Sequence, residues 1–447
     1  MRGKRRLVQC AVCALAMSLA ACGRGGQAPS ADGSSRGTAR RTLIVWDWHA
    51  ADPTRGPGLW LAEIDRAFRK AHPDVDLKHV AQSHTEYYEI FTAAAAAASP
   101  ERGPDVVMLH QGSRILDNKE HLTDLTQWVT PAFRQEIAGW ELTCDGYRAD
   151  GTPYAVPVAV QGNVWYVNKA LLRRAGVPTE PLPSTWQELL AACDRLRSIG
   201  KAGVAAGMKE GFWAEWFVNS AYQQELSARD VAALREGRLS WTDPRVARLF
   251  ERFKELSDRK CVQEGALSTP LLPDAAEVFM RGDAGFFLGL ISDVAHWKDF
   301  GEMLGPENLG VMTCPVWSGR SGPLPMPTGG AFAYGVTRWS REKDLAFEYI
   351  AFVANAANAR TFLTQVGSFP ANRSVDAGAL ADPSARTIHG WLSTGRTARQ
   401  MTETFPAEVS EALRREGQRL WSGQTTVRQA LEALEKVALN ARKRGTR

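Results

Sequence analysis

Leu43-Ile44-Val45-Trp46, Val75-Asp76-Leu77-Lys78-His79-Val80 and Asp105-Val106-Val107-Met108-Leu109 are three short β-rich runs, and what separates them decides the fold. Between the first two, Trp60, Ile64, Ala67, Phe68 and Ala71 recur at helical spacing until His72-Pro73 stops the pattern. Between the second and third, Tyr87 to Ala98 ends in six alanines, a strong helix former closed by Ser99-Pro100. The order is β-α-β-α-β, which calls for a largely parallel sheet with helices on its faces. In open sheets of this kind ligands collect beyond the carboxyl ends of the strands. Those ends are Asp47-Trp48-His49, Gln82-Ser83-His84 and His110-Gln111.

Downstream, Pro183-Ser184-Thr185-Trp186-Gln187 opens a helix with Ser184 and Gln187 as a capping pair. Near the C-terminus Val427, Ala430, Leu431, Leu434 and Val437 form an amphipathic stripe behind the cap Thr426 and its partner Gln429. No internal repeat or interior low-complexity linker interrupts the chain, so any lobes are joined by short crossovers.

The 447 residues allow roughly two or three compact units. With 44% hydrophobic and 23% charged residues, the composition is that of a globular protein and not of a disordered or polytopic membrane chain. The net charge is +5, and four of the basic residues, Arg2, Lys4, Arg5 and Arg6, belong to a leader. The rest is close to neutral, which argues against nucleic acid and strongly anionic partners.

That leader has a basic start, the apolar stretch Leu7–Ala21, and then Leu19-Ala20-Ala21-Cys22-Gly23. The apolar stretch is short for a membrane span and has the charge layout of a secretory signal. Its small residues before a cysteine resemble the lipobox of bacterial lipoproteins, which implies cleavage before Cys22 and acylation of its thiol. The alternative is an ordinary secreted protein with a cysteine near its cleavage site. Residues 1–21 are then a signal peptide and 22–41 a tether rich in Gly, Ser, Ala and Arg. Cys144, Cys193, Cys261 and Cys314 remain in an oxidising compartment, where four cysteines permit three pairings. For Cys193, beside Trp186, Leu189 and Leu190, a buried small hydrophobe competes with a crosslink. None of the four has CxxC spacing, and the 8 histidines are scattered, so the pattern offers no metal site.

The order of motifs resembles the extracellular solute-binding proteins of ABC importers, in the maltose-binding-protein-like class that mostly carries sugars. Phe68-Arg69-Lys70-Ala71-His72-Pro73-Asp74-Val75 is similar to the class's helix, Pro, strand opening. Gly103-Pro104-Asp105-Val106-Val107 is similar to its third strand. The densest match is Asp150-Gly151-Thr152-Pro153-Tyr154-Ala155-Val156-Pro157 with Trp165-Tyr166-Val167-Asn168-Lys169 and Ala175-Gly176-Val177-Pro178. Pro183-Ser184-Thr185-Trp186-Gln187-Glu188-Leu189, Phe279 to Phe286, Gly329-Gly330, Ala346 to Ile350 and Gly367-Ser368-Phe369-Pro370-Ala371 follow in the class's order.

The resemblance implies an α/β, two-lobed periplasmic-binding-protein type II fold, each lobe a mixed, mostly parallel sheet flanked by helices. It places the first lobe at 42–156 plus 314–353 and the second at 157–313 plus 354–447. Crossovers then lie near Val156-Pro157, Val311 to Pro315 and Phe352-Val353. It implies a monomer that holds a sugar between hinged lobes and hands it to ABC permease subunits. The membrane is touched through the lipid anchor only, and no cofactor or nucleic acid is involved.

A neutral sugar needs flat apolar platforms and fixed hydrogen-bonding side chains. Of the 15 Trp most read as core, among them Trp128, Trp140, Trp186, Trp241 and Trp421 in helical patterns, and Trp48, Trp213 and Trp216 are the candidate platforms, each with packing as its alternative. Polar candidates are Asp47, His49, Gln82, His84, Gln111, Gln161 and Asn163. The class often carries a Trp after the Gly-x-Ala-Ala-Met type strand, but here Leu288-Gly289-Leu290-Ile291-Ser292-Asp293 has none before Trp297. Ser292 or Asp293 takes that place, Gly330 lets backbone approach the ligand, and Phe332 closes the pocket. Trp213→Ala and Gln161→Ala are each expected to weaken sugar binding by about 1–3 kcal/mol.

Other classes find less support. His-Glu-x-x-His and a P-loop are absent from the sequence, and Gly-x-Ser-x-Gly occurs only as Gly33-Ser34-Ser35-Arg36-Gly37 within the tether, without the strand and helix that a nucleophile elbow needs. A glycosidase needs two facing carboxyls, a spacing the sequence does not reveal. A binding protein for a polyol, amino acid or phosphodiester is the nearer alternative.

Overall fold

The computed structural model describes residues 40–445 apart from 84–85, 293–295, 318, 320–321 and 377–379. Cys22, His84 and Asp293 therefore lie outside the described residues. Among the described residues no helix is long and apolar enough to cross a membrane.

The three β-rich runs are the strands β1 (Arg41–Trp46), β2 (Val75–Val80) and β3 (Val106–His110). They are followed by β4 (Val156–Pro157), β5 (Val160–Asn168), β6 (Ala202–Ala205), β7 (Ala284–Leu290) and β8 (Leu309–Met312). The last strands are β9 (Met326–Gly330), β10 (Phe332–Val336) and β11 (Thr397–Arg399). One sheet has the order β2-β1-β3-β10-β4, and the other β11-β9-β5-β7-β6 with β8 beside β5. The two lobes of the fold are built on these sheets.

Both sheets are mixed, but parallel pairs do not dominate. β1 runs parallel to β2 and β3, whereas β10 is antiparallel to β3 and β4. β5 is antiparallel to β7, β8 and β9, leaving β6 with β7 and β11 with β9 as the parallel pairs of the second sheet. The cause is the crossing chain: β5 and β10 each enter their sheet from the other lobe, against the direction set by the local β-α-β turns.

The helix Gly56–Ala71 buries Trp60, Leu61, Ile64 and Phe68 on the first sheet. They join Leu43, Val45, Tyr334, Tyr349 and Phe362 in one core. A separate core gathers Trp165, Trp186, Trp213, Phe217, Phe253 and Phe287 about the second sheet. Trp186 belongs to the helix Trp186–Ser198, whose capping box is Thr185 with Glu188, one residue beyond the expected Ser184 and Gln187. Ser184 instead donates its N–H to Glu188 Oε2 at 2.8 Å, so the glutamate serves two consecutive backbone donors. Thr185→Ala should lower stability by about 1 kcal/mol, and Ser184→Ala by only a few tenths, read from urea midpoints at constant slope. Equal losses for the two would return the cap to Ser184.

The crossovers lie side by side. Between β4 and β5 the chain changes lobe at Val158-Ala159, and between β9 and β10 at Ala331. A third passage is Phe369-Pro370-Ala371, where Phe369 belongs to the second core and Ala371 to the first. Val160 N–H donates to Phe369 O at 2.9 Å and Ala371 N–H to Val158 O at 2.8 Å. The first of these passages follows Val156-Pro157, and the other two run through Ala331 and through Phe369 to Ala371. β8 pairs with β5 inside the second sheet and β9 pairs with β5 there too, so both strands belong to the second lobe. Phe362 and Val366 pack in the first core, which carries that lobe beyond the helix Lys343–Ala354.

Candidate ligand-binding cleft

The first-lobe strands end in a cluster of rings. Trp48, half-buried after β1, stands edge-on to Tyr87 at 4.9 Å between centroids and lies 4.9 Å from the His110 ring. Tyr88 Oη is 2.9 Å from His110 Nδ1 and accepts the His110 backbone N–H at 3.1 Å. Burial pushes the Tyr88 phenol up to about 12 against the opposing His110 backbone contact and the Arg114 charge. Arg114 lays its guanidinium 4.3 Å over the Tyr88 ring. Gln111 is buried, and its Nε2 donates to Ala159 O and Phe332 O at 2.9 Å each, which ties the end of β3 to two of the crossovers.

The second lobe answers with β5 and the segment after β11. Asn163, 1% exposed on β5, accepts a 2.6 Å hydrogen bond from Gln400 Nε2 through its Oδ1. The short turn Thr402–Thr404 follows, and Asn219 grips it by accepting the Thr402 N–H at 3.1 Å and donating to Thr402 Oγ1 at 2.9 Å. That grip aims Glu403 at the seam between the lobes. A Cβ added to Gly112 of the first lobe would lie 2.9 Å from Glu403 Oε2, and one on Gly329 of the second would strike Glu403 Oε1. Two glycines thus bracket one carboxyl, and Gly112 also has φ +83°, a conformation side chains resist.

Charge at this seam is dense and mixed. Burial and the neighbouring Glu215 carboxylate push Glu403 to about 8, against the pull of Arg399. Glu215 is itself raised, burial outweighing Arg414, a hydrogen bond from Thr402 and Arg114. The Tyr147 phenol is pushed to about 12 by burial foremost, and feels Asp117, Arg235, Glu403 and Arg399. Tyr147 and Asp117 come from the first-lobe stretch of chain and the others from the second. Arg114 Nη2 reaches across to Glu411 Oε1 at 3.9 Å.

A family described as bacterial extracellular solute-binding protein matches residues 63–387. This chain belongs to that family. The solute-binding protein is 23% identical over 375 residues to the maltodextrin-binding protein MdxE of Bacillus subtilis, covering 80% of this chain and 78% of that relative. It is 23% identical over 389 residues to the galactooligosaccharide-binding protein of the same organism, covering 84% and 83%. A solved chitin oligosaccharide binding protein superposes with a TM-score of 0.78 at 20% identity, covering 90% of this chain and 99% of that one. These relatives are binding proteins, not enzymes, and the two-lobed fold is shared.

Within the binding protein, the expected site residues divide. Trp48, His49, Gln82, Gln111, Gln161 and Asn163 stand at strand ends or at the crossovers, and Gln82 and Gln161 are half-buried. Ser292, directly after β7, is fully buried, and its Oγ has no partner among the described residues. Trp216 is half-buried beside Glu215 on the helix Phe212–Ala221.

Four of the expected residues are buried against other parts of the protein. Asp47 is 0% exposed and spends its oxygens on the His49 backbone at 2.7 Å, His49 Nδ1 at 3.0 Å and the Tyr334 hydroxyl. Burial works to raise its pKa, but the charge and hydrogen bond of His49, with His79 and Tyr334, bring it below the ordinary carboxylate value. It positions His49 and offers nothing to a ligand. Trp213 is 0% exposed, packed 5.4 Å from Trp421 and 5.5 Å from Phe253, so it is core and not a platform. Gly330 admits the Gln111 side chain, which a Cβ would strike, and not a ligand. Phe332 lies beneath the site, 5.1 Å from the His49 ring and 5.9 Å from Phe362.

Tyr88, Arg114, Tyr147, Glu215, Arg399, Gln400 and Glu403 were not anticipated. His110 was visible as a strand end. The segment Thr397 to Pro406 carries neither a helical nor an alternating apolar pattern, so nothing local marks it.

Proposed function

We propose that this protein captures a neutral sugar, a mono- or oligosaccharide, between its lobes and delivers it to an ABC permease. The observation that carries the reading is the seam itself. Gln111, Arg114 and Tyr147 approach it from one lobe, and Asn163, Gln400 and Glu403 from the other. A ligand that bridges two such walls favours the state in which they meet. Arginines and carboxyls are interleaved there, so a guest rich in hydroxyls finds donors and acceptors without meeting a strong net field. The relatives named for maltodextrin and galactooligosaccharide binding support the same class of guest. Cys22 serves as the lipid attachment on the outer face of the membrane, with residues 22–41 as tether, and the protein acts as a monomer.

The test is a thermal-shift screen of sugars, polyols, amino acids and glycerol phosphates, followed by calorimetry. A ligand at 100 times its Kd adds about 2.7 kcal/mol of stability. Stabilisation by an amino acid or a phosphodiester and by no sugar would overturn the reading. For the best sugar, Trp48→Ala should cost about 1–2 kcal/mol of binding, roughly five- to thirtyfold in Kd. Unchanged affinity would remove Trp48 from the cleft wall. Because two carboxyls, Glu215 and Glu403, stand at the seam, the same sugars should also be followed for turnover. Recovery of intact sugar is the expected result.

A further inference from the structure

Cys193 and Cys261 are both 1% exposed and both free thiols here. Cys193 sits on the inner side of the helix Trp186–Ser198, and Cys261 follows the helix Pro244–Asp258. β6 brings them together from between. Val204 N–H donates to Cys261 O at 2.8 Å, and Val204 pairs with Val262 in a parallel bridge. The neighbouring residue of β6 is Gly203, where a Cβ would strike Cys193 Sγ and would lie 2.8 Å from Cys261 O and from Cys193 Cβ. Only a residue without a side chain leaves room there, and the room is filled by the cysteines. The neighbouring Cys261 thiol foremost, and burial after it, push the Cys193 thiol well above its ordinary range.

The other two cysteines are spoken for elsewhere. Cys144 belongs to the first core and has Arg134 Nη1 at 3.7 Å from its sulfur. Cys314 is buried, with its thiol 3.7 Å from Pro315 O. We propose that Cys193 and Cys261 are joined by a disulfide once the chain is outside the cell. The step removes both thiol hydrogens and two electrons and forms one S–S bond. A thiol–disulfide oxidoreductase in its disulfide form accepts the electrons and protons and leaves as the dithiol. The inference rests on export and is independent of which solute is bound.

The bond would close a loop that contains the helix Phe212–Ala221 with Glu215 and Trp216, so it would tie down one wall of the cleft. A crosslink of that kind acts chiefly by restricting the unfolded chain. Because both sulfurs are buried, it forms as the chain folds and resists reductants until the protein unfolds.

The full chain should be exported from a bacterial host, unfolded in alkylating agent without reductant, digested and mapped by mass spectrometry. The expected result is one linked peptide pair carrying Cys193 and Cys261, lighter by two hydrogens than its parts, with Cys144 and Cys314 alkylated. Alkylated Cys193 and Cys261, or a link through Cys144 or Cys314, overturns the proposal. Protein reduced in denaturant, alkylated and refolded should melt several degrees lower than the oxidised form. In exported Cys261→Ser, Cys193 should become alkylatable.

Discussion

Affinity for sugar should fall roughly 10–100-fold as the pH is raised from about 5.5 to about 8, and Glu403→Gln should remove most of that fall. In the seam Glu403 titrates at about 8, because burial and Glu215 oppose its charge more than Arg399 favours it. With the lobes apart the Gly112 wall is withdrawn and water reaches the same carboxyl, so its pKa falls from the seam value toward the ordinary range of about 4.3, with Glu215 of the same lobe still opposing its charge. Closure therefore takes up a proton at any pH between those two values. Below them the carboxyl is neutral in both states and closure is at its most favourable. As pH rises through the interval, each unit weakens closure by up to about tenfold, and above the upper value the dependence stops.

Glu215 shifts in the same direction. Tyr147 titrates at about 12, outside the window. Asp47 is buried within one lobe whether or not the lobes meet, so it contributes to folding and not to closure. Its lowered pKa is a stabilisation lost only as the pH falls through the acidic range. Calorimetry across the pH series in wild type and Glu403→Gln is the measurement. A flat wild-type profile would mean that Glu403 does not enter the seam on binding.

How far all this could be read in advance depends on how local each signal is. β1 to β3 and the helices between them are specified by patterns within a few residues, and they stand where those patterns place them. The Thr426 cap is as local: Thr426 N–H donates to Gln429 Oε1 at 3.1 Å and Gln429 N–H returns to Thr426 Oγ1 at 3.3 Å. The crossovers are not local. Whether β9 joins one sheet or the other depends on its finding β5, a partner about 170 residues away, through Val160↔Gly330 and Gln161↔Gly329. The cleft is less local still. Glu403 is aimed by Asn219 and bracketed by Gly112 and Gly329, and no spacing along the chain brings those four together. Burial cuts the other way at Asp47, where a strand-end acid has the position of a ligand group and is spent on His49 and Tyr334.

Trp213→Ala should unfold the protein more easily by about 3–5 kcal/mol while leaving the Kd of the folded fraction within about twofold. Trp213 is fully buried and touches Phe217 at 5.9 Å, Phe253 at 5.5 Å and Trp421 at 5.4 Å, a contact set drawn from three helices. Truncation removes the largest side chain of that junction. The surrounding rings belong to the helices Phe212–Ala221, Pro244–Asp258 and Ala407–Trp421 and can collapse into the gap only in part. The cost is therefore transfer and cavity together. Its neighbour three residues on makes the contrast: Trp216 is only half-buried at the margin of the same core, next to Glu215 in the chain, so Trp216→Ala should cost less stability and more affinity. Denaturant midpoints and calorimetry on both variants separate the cases. Were Trp213→Ala to keep its stability and lose the sugar, the first turn of that helix would have to face the cleft, and the division between the second core and the ligand wall would need to be redrawn.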